Sequence, residues 1–243
     1  MGKKVLNTIV ISIAGYGVEI KSEYGFSPNM YAPFRRNIPV AISIYLTDDD
    51  IDFSAVKRNV KANLYIKSFR ILHKMADAFL DLNVLLVHGV AVGFHNCSYL
   101  FTAPSRTGKT THVLKWLEFL PDAYVVNGDK PFIKLPDDDS QPLACGSPWA
   151  GKEKMFTNTM VPLKAIIFME RSEENTIHEI SFAEAFPFLL KQTYRPDDEE
   201  KMKKTLKLLQ KLNGFVKCYK FQCNNYKDDC FDVAYNALVR ETC

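Results

Sequence analysis

The chain has no apolar run approaching the ~20 residues that a helix needs to cross a bilayer, which argues against a membrane partner. Its 31 Lys and Arg stand against 28 Asp and Glu, a formal charge of +3, and the lysines are spread along the chain without forming a block. So small and diffuse an excess gives no reason to expect a nucleic acid. The six cysteines include no Cys-x-x-Cys pair, so neither a zinc site nor a disulfide framework is favoured, and reduced, mostly buried thiols are expected. Met1-Gly2-Lys3-Lys4 and the polar-interrupted Val5 to Ile13 lack a cleavage site before Gly15 and Tyr16, so the expected location is the cytoplasm. Internal repeats, low-complexity tracts and flexible linkers are also missing.

What is present reads as an ordinary globular chain. With 243 residues, 47% of them hydrophobic, it can form one large domain or two small ones. Thr8–Ala14 and Gly17–Lys21 flank Gly15-Tyr16 as a hairpin, and Val40–Leu46 alternates like a half-buried strand. Gly15-Tyr16-Gly17 lacks the third glycine and the following helix of a dinucleotide loop. Asp48-Asp49-Asp50 reads as a solvated turn, because successive carboxylates on an extended chain face alternate ways. From Ser54 to Leu82 the period becomes helical, with a break expected near Lys67-Ser68. Val84 to Val92 then reads as one strand buried on both faces, interrupted in polarity only by His88.

The chemistry gathers next. Ser98–Thr102 feeds Ala103-Pro104-Ser105-Arg106-Thr107-Gly108-Lys109-Thr110-Thr111, which leads into an apolar-periodic helix. Free N–H groups at a helix start point at an anion, a lysine there reaches outer phosphates, and a following hydroxyl suits Mg²⁺. Ala103 stands where G-x-x-x-x-G-K-[ST] asks for glycine. Ala123–Val126 then delivers Asn127-Gly128-Asp129, where a carboxylate can hold the nucleotide's metal or take a proton from an attacking hydroxyl.

Further on, Phe132–Leu135 and Leu143–Cys145 form a second hairpin, and a Gly/Pro-rich loop carries Trp149 and Lys152. Leu163–Met169 is a buried strand with which Thr176–Ile180 is expected to pair. Ser181 and Glu184 form a capping box, Asp197–Leu212 an amphipathic helix, Val216–Cys223 a strand, and Asp228-Asp229 caps a last helix through Leu238. The fold class is α/β or α+β around one mixed sheet. Residues 1–82 form a β-rich portion with a long helix, and 83–243 the site-bearing domain.

Together these residues resemble a known family. Val87-His88-Gly89-Val90-Ala91-Val92, the loop through His112, and Asn127 with Asp129-Lys130-Pro131 are similar to the kinase domain of HPr kinase/phosphorylase. They are more similar still to its small stand-alone relatives, which share a nucleotide core with ATP-dependent phosphoenolpyruvate carboxykinase. Gly146, Pro148-Trp149, Gly151-Lys152, Asn158, Val161-Pro162-Leu163-Lys164 and Gln192-Thr193-Tyr194-Arg195-Pro196 fit as well, over roughly residues 84 to 240.

The resemblance implies a P-loop, carboxykinase-like core that binds ATP and Mg²⁺ and phosphorylates a hydroxyl, typically a serine of a protein or peptide, with a small-molecule acceptor as the other option. It implies that Ser105, Arg106, Thr107, Gly108, Lys109, Thr110 and Thr111 contact the nucleotide and that Thr110 and Asp129 hold the metal. His88 orients the carboxylate, and Lys152 and Arg195 stabilise the transferring group. Relatives usually place glycine at Arg106 and a pair of aspartates at Gly128-Asp129; a missing base would cost ~10²–10⁴-fold in rate. A catalytically weak, nucleotide-binding regulatory or peptide-presenting module is therefore the alternative. The two-lobed decarboxylating enzyme is far longer than this chain. The donor (ATP, GTP or pyrophosphate) and the oligomeric state, a homo-oligomer included, stay open.

Overall fold

The structure is a computed structural model that describes residues 6–23, 25–50, 60–138 and 140–240. The chain divides into two compact units, Met1–Leu82 and Asn83–Cys243.

In the first unit, β1 (Asn7–Ile13) and β2 (Tyr16–Ser22) form an antiparallel hairpin, and β3 (Val40–Leu46) adds to β2 in parallel. Ala14 and Gly15, both with positive φ, make the turn. Alternation buries Ile9, Ile11, Ile13, Val18, Ile20, Ile44 and Leu46 on one face. A short helix α1 (Pro28–Tyr31) lies between β2 and β3, and α2 (Val60–Phe79) runs without the break expected near Lys67-Ser68. Residues 51–59, where that helix was expected to begin, lie outside the described ones. The acidic turn is satisfied from within the chain, with Asp50 Oδ1 2.6 Å from Lys74 Nζ and Oδ2 accepting from Thr47 N at 2.8 Å.

The second unit is built on a mixed sheet. The apolar run at 84–92 is two strands: β4 (Val84–Leu86) and β5 (Val90–Phe94). Between them Val87 N, His88 N and Gly89 N donate to Pro131 O, Gln192 O and Asp129 O, so the chain leaves one part of the sheet and enters another. Continuous apolarity could not show this switch, because every residue stays buried or half-buried through it. β6 (Cys97–Thr102) returns antiparallel to β5 across His95-Asn96, both left-handed. After it come α3 (Lys109–Phe119), β7 (Tyr124–Asn127), the hairpin β8 (Phe132–Lys134) and β9 (Leu143–Cys145), and β10 (Met160–Arg171).

β10 joins the two parts. Its start pairs antiparallel with β9, and its remainder runs parallel to β6 on one side and to β12 (Lys217–Cys223) on the other. β11 (Thr176–Ile180) pairs with β12, correcting the expected pairing with β10. The later strand inserts between the two, an outcome local pattern does not encode. α4 (Phe182–Gln192) begins with the Ser181/Glu184 capping box, and α5 (Glu199–Lys211) is capped by Asp198, whose Oδ1 accepts from Lys201 N at 2.9 Å. α6 (Cys230–Tyr235) continues as a π-helical turn, Asn236–Arg240. Asp229 occupies its N-cap position without capping it: the carboxylate accepts from Asn175 Nδ2 at 2.7 Å instead.

This topology positions the site. β5 is antiparallel to both β6 and β7, so β7, β6, β10 and β12 all point the same way and end at one edge. The loop after β6, Asn127-Gly128-Asp129 after β7, Arg171 at the end of β10 and the turn after β12 therefore share that edge, as does His88 at the start of β5. The carboxyl ends of parallel strands are where open α/β sheets place ligands. Beneath the edge, Trp116 of α3 packs with Tyr99, Phe101 and Phe231, all buried.

Candidate functional site

The sequence Thr107-Gly108-Lys109 takes its shape from two left-handed residues. Gly108, the N-cap of α3, has φ 113°, a conformation that favours glycine, and a Cβ there would push on Asn225 Nδ2, 2.5 Å away. Arg106 adopts φ 68°, the conformation glycine holds at little cost, and its side chain is exposed. The arginine therefore does not crowd the loop; it bears backbone strain there. Arg171 donates from its guanidinium to the Arg106 carbonyl, and Thr107 Oγ1 donates to Pro104 O at 2.8 Å. Gly108 has no side chain to cap the first turn of α3, so the N–H groups there face outward as donors for an anion. Ala103 is buried, and Lys109 Nζ donates to its carbonyl at 2.8 Å and to Pro104 O at 3.2 Å. Burial is the main reason that the Lys109 ammonium titrates low, at about 8.

Asp129 is set by Asn127, a buried side chain with every polar atom engaged. Its Oδ1 accepts from Asp129 N (2.9 Å) and Lys130 N (2.7 Å), while Nδ2 donates to Ser147 O and Oγ at 3.0 and 2.9 Å. Ser147 Oγ in turn donates to Lys130 O at 2.8 Å, tying the loop that holds Trp149 to this turn. Gly128 fits because its backbone is hemmed in: a Cβ would lie 2.8 Å from Ala150 O and 3.1 Å from Met155 O. No second carboxylate can occupy that place without displacing backbone.

Asp129 Oδ1 lies 3.4 Å from His88 Nε2 and 3.6 Å from Lys130 Nζ. His88 Nδ1 is 2.8 Å from Gln192 Oε1, so Nδ1 carries the proton and the Nε2 lone pair faces the carboxylate. Thr102 Oγ1 donates to His88 O at 2.7 Å and fixes the backbone below. Desolvation first, then Lys130 and Lys109, hold His88 below its ordinary range, and desolvation likewise lowers Lys130. The neutral imidazole and the carboxylate thus present two acceptors to the same gap, which a hydroxyl donor or a cation can fill.

Of the residues expected in the site, His88, Lys109 and Asp129 come together beside the start of α3. Arg106, Thr107, Gly108, Lys109, Thr110 and Thr111 line one side of a cavity of about 500 Å³, closed by Arg171, Ser172 and Cys223–Tyr226. Ser105 is exposed at the loop tip, outside that lining. Lys152 and Arg195 are exposed, and neither makes a hydrogen bond or ion pair with His88 or Asp129. Lys152 follows Gly151, where a Cβ would lie 3.2 Å from Asp129 Cβ. Sequence pattern gives Gln192 a place in a family-like block but no role, and it does not single out Ser147, Arg171 or Asn225. Gln192 reaches His88 across 104 positions and Asn225 reaches Gly108 across 117, separations at which no local signal survives. Among the described residues no helix is long and apolar enough to cross a membrane.

No family model matches the chain, and no curated protein matches it. Among solved structures it is similar to the Hpr(Ser) kinase/phosphatase from Coxiella burnetii, at 12% identity over 52% of this chain and 90% of that one, with a TM-score of 0.30. So distant a likeness assigns neither family nor activity, and the chain stands as a mixed α/β protein whose site must be read from its own residues.

Proposed function

We propose that the second unit binds the phosphates of ATP over the loop 103–111 and transfers the terminal phosphoryl group to a hydroxyl, a serine of a protein or peptide in the first instance. The observation that carries this reading is the convergence, at the open start of α3, of two partly desolvated lysines with a neutral histidine and a carboxylate that face one gap. The N–H groups of the α3 start and Lys109 would bind phosphate oxygens, and the 500 Å³ cavity beside the loop has room for the rest of the nucleotide.

The acceptor hydroxyl enters beside Asp129 Oδ1 and His88 Nε2, 3.4 Å apart and both within its reach. Its oxygen bonds to the γ-phosphorus as the β–γ bridging bond breaks, the nucleoside diphosphate leaves, and the hydroxyl proton passes to one of the two acceptors. Thr110 and Asp129 would hold Mg²⁺ through their oxygens, and the ion would neutralise phosphate charge. With Asp129 committed to that role, His88 Nε2 takes the proton, and Gln192 holds its ring in the tautomer that can. Lone Asp129 beside Gly128 then suffices where a pair of aspartates would divide the two tasks.

The second reading, a nucleotide-binding regulatory module without transfer, is favoured by the same hemmed Gly128, which leaves one carboxylate in the site. Calorimetric titration with ATP and Mg²⁺, with GTP and pyrophosphate as competitors, is paired with single-turnover transfer of labelled γ-phosphate to serine-containing peptides. Binding with transfer supports the kinase reading; binding with neither transfer nor hydrolysis leaves the regulatory module; absence of binding overturns both.

A further inference from the structure

Behind the loop, on the side away from His88, lies a cluster for which the proposed transfer has no use. Cys223 closes β12, Cys230 opens α6, and His112 sits on α3 between the rings of Phe101 and Phe221; all three are buried. Cys223 Sγ and Cys230 Sγ are 3.2 Å apart, and Cys230 Sγ is 3.4 Å from His112 Nδ1. Three such ligand atoms within 4.8 Å of one another invite a metal. The hydrogen bonding of His112 argues otherwise. Trp116 Nε1–H donates to His112 Nε2 at 3.1 Å, so Nε2 is the acceptor nitrogen and the proton resides on Nδ1, the nitrogen facing the sulfur. A metal-ligating histidine has the reverse arrangement, its far nitrogen donating to an acceptor.

We propose that Cys223 and Cys230 are a redox-active dithiol, oxidised to an intramolecular disulfide by hydroperoxides, with His112 Nδ1–H stabilising the Cys230 thiolate. In the first step the thiolate attacks one peroxide oxygen, the O–O bond breaks, and hydroxide leaves and is protonated to water, giving a sulfenic acid. In the second, Cys223 sulfur attacks that sulfur, the S–O bond breaks, and water departs with the Cys223 proton. Two thiols and one hydrogen peroxide give one disulfide and two waters. The hydrogen bond from Cys223, followed by the His112 contact, draws Cys230 down to about 5, while that same bond and burial push Cys223 up. The attacking and resolving sulfurs are thereby distinguished. Cys230 is fully buried and outside the wall of the 500 Å³ cavity, so peroxide must reach it past Cys223, which lines that cavity.

The pair is linked to the loop by one side chain. Asn225 Oδ1 is 3.3 Å from Cys223 Sγ and 3.5 Å from Cys230 Sγ, and its Nδ2 donates to Gly108 O at 3.1 Å. Closing the disulfide draws the sulfurs from 3.2 Å to about 2 Å apart and moves them relative to Asn225 Oδ1, so oxidation loosens the Gly108 anchor at the start of α3. This step concerns loop stability and holds whatever the loop binds.

The test treats the full chain with hydrogen peroxide, blocks remaining thiols with N-ethylmaleimide and maps peptides before and after dithiothreitol. Cys223 and Cys230 are expected to lose labelling together as a reducible disulfide, while the more exposed Cys97 keeps its label. Cys223→Ser is expected to leave a Cys230 sulfenic acid that dimedone captures, and Cys230→Ser to slow oxidation at Cys223 at least ~10-fold. Oxidation of Cys97 at an equal or faster rate, no dimedone adduct in Cys223→Ser, or one equivalent of zinc released by Cys230→Ser would each overturn the proposal. Hydrogen exchange at residues 112–115, whose protection begins with the His112 N–H bond to Gly108 O, is expected to quicken on oxidation; unchanged exchange would overturn the link through Asn225.

Discussion

Among the described residues of the second unit, two cavities lie at opposite ends of the same parallel strands, and the larger of the two has the weaker chemistry. The cavity of about 760 Å³ lies at the amino ends, lined among others by Cys97, Gln141, Lys164, Glu179, Lys217 and Cys218. Its polar groups are spoken for: Lys217 pairs with Glu179 at 3.2 Å, and Gln141 Nε2 donates to Leu163 O and Phe215 O. The smaller cavity, at the carboxyl ends, adjoins Lys109. The two lysines respond in opposite senses, Lys217 raised by its hydrogen bond to Glu179 and Lys109 lowered by burial. Volume measures room, whereas a desolvated cation beside outward-facing N–H groups measures readiness for an anion.

The largest expected effect tests that contrast directly. Lys109→Ala should weaken ATP binding by ~10–100-fold, the loss of one or two charge-assisted hydrogen bonds. Lys217→Ala should change it by less than about twofold, and comparable losses in the two calorimetric titrations would end the distinction. Next in size is Gly128→Asp, which restores the sequence of the paired aspartates. With Ala150 O 2.8 Å from the new Cβ, the variant should lose about 1–3 kcal/mol in urea unfolding and gain no transfer rate. A faster variant at unchanged stability would show that the site lacks only a carboxylate.

How much of this could be read beforehand follows from the range of each interaction. The Asn7–Ile13 and Tyr16–Ser22 hairpin, α3 behind the Gly-Lys-Thr loop and the Ser181 capping box are local, set by alternation, turn residues and spacing, and they lie where the sequence places them. Insertion of β12 between β10 and β11 and the chain's switch at Val87–Gly89 depend on partners distant in sequence. The site divides in the same way. Lys109 and Asp129 stand out by motif, but Gln192 and the His112–Cys223–Cys230 cluster exist only once the chain is folded. The expectation of reduced, mostly buried thiols holds for the five described cysteines; what sequence spacing could not show is that the sheet edge brings two of them together with His112.

A smaller effect comes from pH. Lys109 ionises at about 8 in the folded chain against an ordinary 10.5. The folded state therefore holds fewer protons than the unfolded one between those values, and this residue's contribution to stability rises with pH across that window. Anion binding has the opposite sign, because phosphate favours the charged ammonium and above about pH 8 must draw a proton from solvent. Affinity for ATP should thus fall as pH rises past 8, by up to ~10-fold per unit, with proton uptake visible as buffer-dependent binding heat. Flat affinity over that range would mean that Lys109 does not meet the phosphates.

The smallest effect concerns the loop's own backbone. Arg106 at φ 68° bears the left-handed penalty of about 1–2 kcal/mol that glycine escapes, while glycine gives back about 0.4–1 kcal/mol through a freer unfolded chain. Arg106→Gly should therefore stabilise the second unit by about 0.5–1 kcal/mol, seen as a melting temperature higher by ~1–4 °C. The Arg171 contact survives, because it is made to the Arg106 carbonyl. Since that backbone already has the shape glycine would give it, ATP affinity should move by less than about threefold. A lower melting temperature would show that the exposed arginine stabilises the loop through its side chain. A large fall in affinity with higher stability would make Arg106 a phosphate ligand for which the fold accepts strain.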